Sequence, residues 1–468
     1  MATHALGRHL VLVGFMGAGK TTIGEEAARR LGREFRDVDR AIERREGPIP
    51  AIFAERGEAA FREIEAWFVA AACDRREPAV IAVGGGAVET RGFLQEHDVL
   101  VVHLDVDVDT AWERVAGSAR PLAQDEAEFR ARYERRAPLY DEIADVRARD
   151  VDDVALAAAG VHVDAGALQL LDELVPGDGP VALVTEPHVA GIYGADAQLA
   201  LGARLAEVHE LPQGERAKSV AEVEKLWRAL RIPRTGTIAA LGGGALTDAA
   251  GFVASTYTRG CPWVPMPTSL VGQVDAAIGG KTGIDLPEGK NLVGAFHWPD
   301  RTIVDPALLE TLPPDERLNG MAEVVKTGLL AGEPLWELPD GELVRRCAAY
   351  KAGICLQDPH DHGVRRTLNL GHTFAHALEA AAGYELPHGR AVALGLRAAL
   401  GLSGRDAAPV NDVLQPQPVR VDRDAAWQAL LRDKKGRMRV ILLSDDGAFE
   451  TELDERDVRR ALDELIAE

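Results

Sequence analysis

Residues 10–13 form a short apolar run, followed at once by a glycine-rich turn and an amphipathic stretch over 22–31. Short apolar runs recur at 79–83 and 99–104, with helical periodicity between them and again over 125–136. Such alternation predicts a parallel sheet covered by helices on both faces. A last short helix over 149–160 leads into a new strand near Val161. PGDGP at 176–180 reads as a turn and 181–184 as a buried strand, after which strand, helix and glycine turn alternate to about Trp298. Beyond Asp305 the pattern becomes mostly helical to the C-terminus. The expected organisation is an α/β domain over 1–158, a second α/β domain over 159–305 and a helical domain over 306–468.

A chain of 468 residues has room for two or three domains. The formal net charge of −21 argues against nucleic-acid or anionic-membrane partners. Any anionic substrate must therefore be met by lysines and arginines gathered locally. The four cysteines, Cys73, Cys261, Cys347 and Cys355, lie far apart without CxxC spacing and are expected as buried thiols in a reducing compartment. The first apolar run is too short for a secretion signal, and no stretch approaches the roughly 20 apolar residues of a membrane span. A cytoplasmic protein is expected.

The spacing GxxxxGK[ST] fits Gly14, Gly19, Lys20 and Thr21. Glycines let the backbone curl so that its N–H groups face phosphate oxygens, Lys20 adds charge, and Thr21 can hold Mg²⁺. The loop follows a strand and opens a helix, the context an anion site needs, so ATP with Mg²⁺ is expected. Asp37 and Asp39, in FRDVDRAIE, end a predicted strand where α/β folds place ligands. They can organise Mg²⁺ and accept a hydroxyl proton, or cap the helix that follows. Arg62 in FREIE, the turn Gly84, Gly85 and Gly86, Arg120 in ARPL and Arg136 in RRAPLY supply what a carboxylated substrate and a transferring phosphoryl group need.

In this order the set resembles shikimate kinase over about residues 8–150. The resemblance implies a P-loop kinase domain in which Gly17, Ala18, Gly19, Lys20, Thr21 and Thr22 hold ATP. Thr21 would ligate Mg²⁺, and Asp37 would assist through water. Asp39 would bind and deprotonate the shikimate hydroxyl, Arg62 and Arg136 would clamp its carboxylate, and Gly84, Gly85 and Gly86 would line the pocket. Arg120 would reach the phosphates from a closing lid.

A second constellation comprises Glu323 in MAEVVK, His372 and His376 in NLGHTFAH, and His388 in PHGR. Two histidines four apart share a helix face, and a carboxylate with imidazoles suits a catalytic zinc site that keeps one position open. Upstream, LGGGALTDAAGF places a glycine turn between strand and helix, which suits a pyrophosphate.

Residues of about 161–460 resemble 3-dehydroquinate synthase, whose members bind NAD and a divalent metal and convert DAHP to 3-dehydroquinate. The resemblance implies an α/β NAD-binding domain followed by a helical metal-binding domain. Glu323, His372 and His388 would ligate Zn²⁺ or Co²⁺, while His376 works on substrate. Asp275, Lys281, Asn291, Lys326, Lys351, Arg365, Asn369 and Lys434 would hold the substrate, with Asp275, Lys281 and Lys326 also catalytic. Glu215, Lys218, Gly243, Gly244, Asp248, Thr268 and Lys290 would contact NAD. Arg259 would reach into a neighbouring subunit's phosphate site, which implies a homodimer. NAD is regenerated each turnover, so the net reaction is that of a lyase.

Several positions depart from that pattern. Arg390 follows the HG where an acid beside the metal is expected, a change expected to weaken metal binding. Ala375 stands for a glycine, Glu186 and His188 for the Asp and Asn that hold a ribose, and Asp358-Pro359-His360-Asp361 for DExE. The leading expectation is a bifunctional enzyme of aromatic precursor biosynthesis. Its two reactions are not consecutive in the shikimate route, so channelling is not implied. Alternatives are a kinase fused to a degenerate dimerisation or regulatory module, or to a cyclase of a different sugar phosphate.

Overall fold

The strand β1 (His9–Val13) is buried along its whole length, as a strand covered on both faces must be. In the computed structural model, which describes residues 4, 6–90, 92, 94, 97–117, 121–434 and 438–467, it centres a five-stranded parallel sheet. The side chains of Pro121, Asp433 and Lys434 lie outside the description. The other strands are β2 (Glu34–Asp37), β3 (Ala79–Ala82), β4 (Val99–Leu104) and β5 (Val146–Ala148), in the order β2-β3-β1-β4-β5. Parallel neighbours need crossovers, supplied by the helices Lys20–Arg30, Ile49–Cys73 (broken at Gly57) and Glu126–Ile143 among others. Chain order reverses around β1, so a crevice opens beyond the carboxyl ends of β1 and β3. The helix Val151–Ala159 closes this unit, and Gly160 ends the helix with a φ of 69°.

A second compact unit begins at Val161. After β6 (Val161–Val163), a parallel sheet in the order β10-β9-β7-β8 is built from β7 (Val181–Thr185), β8 (Leu205–Glu210), β9 (Thr237–Gly242) and β10 (Trp263–Pro267). An antiparallel hairpin of β11 (Lys281–Leu286) and β12 (Gly289–Phe296) follows, and β13 (Thr302–Val304) returns to pair with β6. Helices then dominate: Pro314–Ala331, Asp340–Gln357, His372–Ala381, His388–Leu402, Arg423–Lys434 and Glu455–Asp463.

This part is mostly helical, as expected, and the strands that the sequence pattern does not single out are β14 (Arg439–Ser444) and β15 (Gly447–Glu452), an antiparallel hairpin. Asp445 and Asp446 form its tight turn, and Gly447 adopts a φ of 113° that a side chain would oppose. Val440 and Leu442 alternate inward against Trp427 and Leu430, so the strand period hides inside what reads as a continuous apolar run. All four cysteines are buried free thiols, and among the described residues no helix is long and apolar enough to cross a membrane.

Asp305, at 2% exposure, ties the ends of the second unit's α/β part together. Its carboxylate accepts from the N–H groups of Gly166 (3.1 Å), Leu168 (3.0 Å) and Ala307 (3.0 Å). Unpaired buried donors are costly, so Asp305→Ala should destabilise this unit by about 2–4 kcal/mol. Asp305→Asn, which keeps one acceptor, should cost less. Urea unfolding of the full chain followed by circular dichroism checks this; an unmoved midpoint would contradict it.

Candidate functional site

The glycine loop leaves β1 and enters the helix Lys20–Arg30, so its amides sit at a helix N-terminus. Gly17 has a φ of 89°, and a Cβ there would lie 2.6 Å from the Ala111 carbonyl oxygen, so only glycine lets the loop curl this tightly. The Lys20 ammonium spans the loop, donating to the carbonyls of Gly14 (2.7 Å) and Phe15 (3.1 Å). Thr21 donates its hydroxyl to Asp37 at 2.8 Å, and Asp37 also accepts the Arg40 N–H at 3.0 Å. Asp37 thus ends β2, caps a helix and faces the glycine loop through Thr21. Asp39 lies in the first turn of that helix, Val38–Glu46.

The second half of this crevice is the turn of Gly84, Gly85 and Gly86 beyond β3. A Cβ on Gly84 would fall 2.0 Å from Glu65 Oε1 and 3.0 Å from Asp39, and one on Gly86 would collide with the Arg62 guanidinium at 2.1 Å. The missing side chains therefore let Asp39, Arg62 and Glu65 pack directly against this turn. Arg62 pairs with Glu65 at 2.6 Å and Glu58 at 3.0 Å. Arg136, fully buried, donates to the Gly85 carbonyl at 3.2 Å and pairs with Glu89 at 2.7 Å. Tyr140 also donates to that carbonyl. Burial raises the Glu65 carboxyl above the usual carboxylate range against the opposing pull of Arg62, while Asp39 adds to the rise. Sequence reasoning passes over Glu65, Glu89 and Tyr140. The first had a legible signal, since it lies one helical turn after Arg62. Arg120 lies outside the described residues.

In the second unit, Glu323 is withdrawn completely from water on the helix Pro314–Ala331. One oxygen faces His388 Nε2 at 3.1 Å and His372 Nε2 at 3.5 Å, and the other pairs with Lys326. One ligand-type atom from each of Glu323, His372 and His388 falls within 4.8 Å of the others, a spacing that fits one metal ion. Burial opposes ionisation of Glu323, but Lys326 and the two imidazoles hold its carboxyl well below the usual range. Burial also disfavours a charged His388, yet Glu323 and Glu379 push it up to about 10. Such a field calls for a cation. Glu379 touches His388 Nδ1 at 3.2 Å, so the orienting acid expected after the HG comes from the preceding helix, and Arg390 is exposed. The signal for Glu379 was its place one turn after His376.

Asp275, in the turn Gly272–Ala276, binds Lys351 at 2.7 Å and faces Lys326 at 3.8 Å. Burial would raise its carboxyl, but those lysines lower it. Lys281 pairs with Asp361, which supplies the acid of the altered DExE segment. Arg365 is buried against the carbonyls of Gly279 (2.9 Å) and Pro359 (3.0 Å), and Asn369 is exposed ahead of His372. His376 lies with its ring centre 5.5 Å from that of His372.

A cleft of about 980 Å³ joins this cluster to the expected dinucleotide residues. His376, His388 and Asp275 line it together with Glu215, Lys218, Gly243, Gly244, Asp248, Thr268, Lys290 and Asn291. Lys218 pairs with Asp248 at 2.8 Å and donates to the side-chain oxygen of Asn291. Glu186 accepts the Gly243 N–H at 3.4 Å. Arg259 is exposed in the turn Tyr257–Arg259 with a φ of 69°, and the Lys434 side chain lies outside the description.

Comparison with known proteins agrees with this division. Residues 16–163 match the family model for shikimate kinase, 208–319 that for the 3-dehydroquinate synthase N-terminal part, and 320–435 that for its C-terminal part. A bifunctional shikimate kinase/3-dehydroquinate synthase of Thermotoga maritima is 33% identical over 94% of this chain and 97% of its own. A 3-dehydroquinate synthase of Bordetella pertussis is 37% identical over 67% of this chain and 99% of its own. Among solved structures, a 2-epi-5-epi-valiolone synthase from Streptomyces hygroscopicus with NAD⁺ and Zn²⁺ bound superposes with a TM-score of 0.57 at 28% identity, over 65% of this chain and 96% of that one. The chain belongs to the bifunctional shikimate kinase/3-dehydroquinate synthase family, with a P-loop kinase first and an α/β-plus-helical synthase after it.

Proposed function

We propose that both sites work through the residues assembled around them, the kinase within 1–158 and the synthase across 159–305 and 306–468. In the kinase, Gly17, Ala18, Gly19, Lys20 and Thr22 hold the phosphates of ATP, with Thr21 and Asp37 beside each other at 2.8 Å to hold Mg²⁺. Asp39 accepts the proton of the shikimate hydroxyl, while Arg62 and Arg136 grip the carboxylate over the glycine turn. Arg120 completes the charge around the transferring group.

In the synthase, Glu323, His372 and His388 hold a divalent cation, zinc or cobalt. NAD and that cation, when bound, supply reversible removal of a hydride from a substrate hydroxyl and polarisation of the same oxygen. Glu215, Lys218, Gly243, Gly244, Asp248, Thr268 and Lys290 seat the dinucleotide. Asp275, Lys281, Asn291, Lys326, Lys351, Arg365, Asn369 and Lys434 hold DAHP, and His376 handles protons near its phosphate. Arg259 acts across a homodimer. One observation carries this reading: a single cleft is lined both by His388 of the Glu323–His372–His388 cluster and by the dinucleotide set. The presence of every proposed ligand favours it over a degenerate module, and DAHP compared with other sugar phosphates separates it from a different cyclase.

Lys20→Ala in the full chain should abolish shikimate phosphorylation and spare phosphate release from DAHP, and His388→Ala should do the reverse with loss of bound metal. Loss of both activities from either change in folded protein would refute two independent sites. Glu379→Gln should weaken metal affinity about 10–100-fold, as loss of an orienting acid does. Competition with a chelating dye measures this, and an unchanged affinity would remove Glu379 from the metal site.

A further inference from the structure

Arg136 is 1% exposed, and its Nε is buried without a partner. One terminal nitrogen serves the Gly85 carbonyl; the other holds Glu89 Oε2 at 2.7 Å. Glu89 ends the short turn Ala87–Glu89, directly after the glycine turn. Its second oxygen accepts from Arg135 at 3.0 Å. A planar guanidinium has few edges, and a carboxylate on one of them excludes another from the same geometry. Glu89 therefore sits where a substrate carboxylate must bind if Arg136 grips it.

Glu65 and Glu89, the acids that hold Arg62 and Arg136, differ in what they can do. Glu65 is 1% exposed and is held in place by Arg62. The Glu89 side chain is 26% exposed and already touches a second cation, Arg135, which is 62% exposed. It can leave Arg136 without becoming an unpaired buried charge. Burial alone would raise its carboxyl, but Arg136 and Arg135 lower it to about 2. Glu89 is thus an anion at any working pH.

We propose that Glu89 is a tethered competitor for the substrate's carboxylate, shifting from Arg136 to Arg135 when shikimate binds and so setting its affinity. The inference rests on the assignment of Arg136 to the carboxylate. Titration calorimetry of shikimate into the full chain without nucleotide tests it. Glu89→Gln should tighten binding about threefold or more, the scale of a partly exposed ion pair, and lower KM by a similar factor with a smaller change in kcat. Glu89→Ala should act in the same direction, and shikimate methyl ester, which lacks the anion, should gain nothing. Unchanged or weaker shikimate binding in both variants, or an equal gain for the ester, overturns the proposal. Arg136→Ala separates the two ideas. If it leaves affinity unchanged, the carboxylate assignment fails; if it weakens binding while Glu89→Gln does not tighten it, only the competitor role fails. Synthase turnover and circular dichroism confirm that each variant is folded.

Discussion

A carboxylate taken wholly out of water must be matched by cations or hydrogen-bond donors, and Glu323 imposes that requirement on everything packed around it. Its partners come from its own helix (Lys326), from the head of the next long helix but one (His372) and from the helix after that (His388). Satisfying one charge therefore sets the mutual positions of three helices. Asp275 extends the network from Lys326 to Lys351 and carries it into the α/β part of the unit. The same electrostatic constraint thus aligns the Glu323–His372–His388 cluster with the cleft that His388 and Asp275 line.

The kinase unit applies that physics to a different end. Glu65 and Glu89 hold Arg62 and Arg136 against a turn whose lack of side chains lets these groups pack onto its backbone. A guanidinium fixed in advance loses less rotamer freedom when it grips a ligand. The acids that provide this order also hold part of the charge the ligand needs. Affinity in such a site reflects a balance between preorganisation and competition.

Each unit carries its own glycine turn between a strand and a helix, one with its own lysine, the other beside Lys218, Asp248 and Glu186. Every described residue of each constellation comes from one unit, so either site can be complete without borrowing from the other.

Much of this was legible in the sequence because it is local. Glycine spacing between a strand and a helix reports backbone sterics within a few residues, and His372 and His376 share a face by helical period alone. The continuous apolar runs at β1 and β4 already described strands buried on both faces. Tertiary structure decided what no local rule reaches. Glu379, and not the residue after the HG, orients His388, because a helix hairpin brings it there; Arg390 points to solvent. The β14–β15 hairpin, the pairing of Glu89 with Arg136, and the shared cleft depend on partners far apart along the chain, 65 residues in the case of Glu323 and His388. The sequence by itself determined which chemical groups are present and which face of each element carries them. Only packing decided which charges meet, since a buried charge is satisfied by whatever the fold brings within reach.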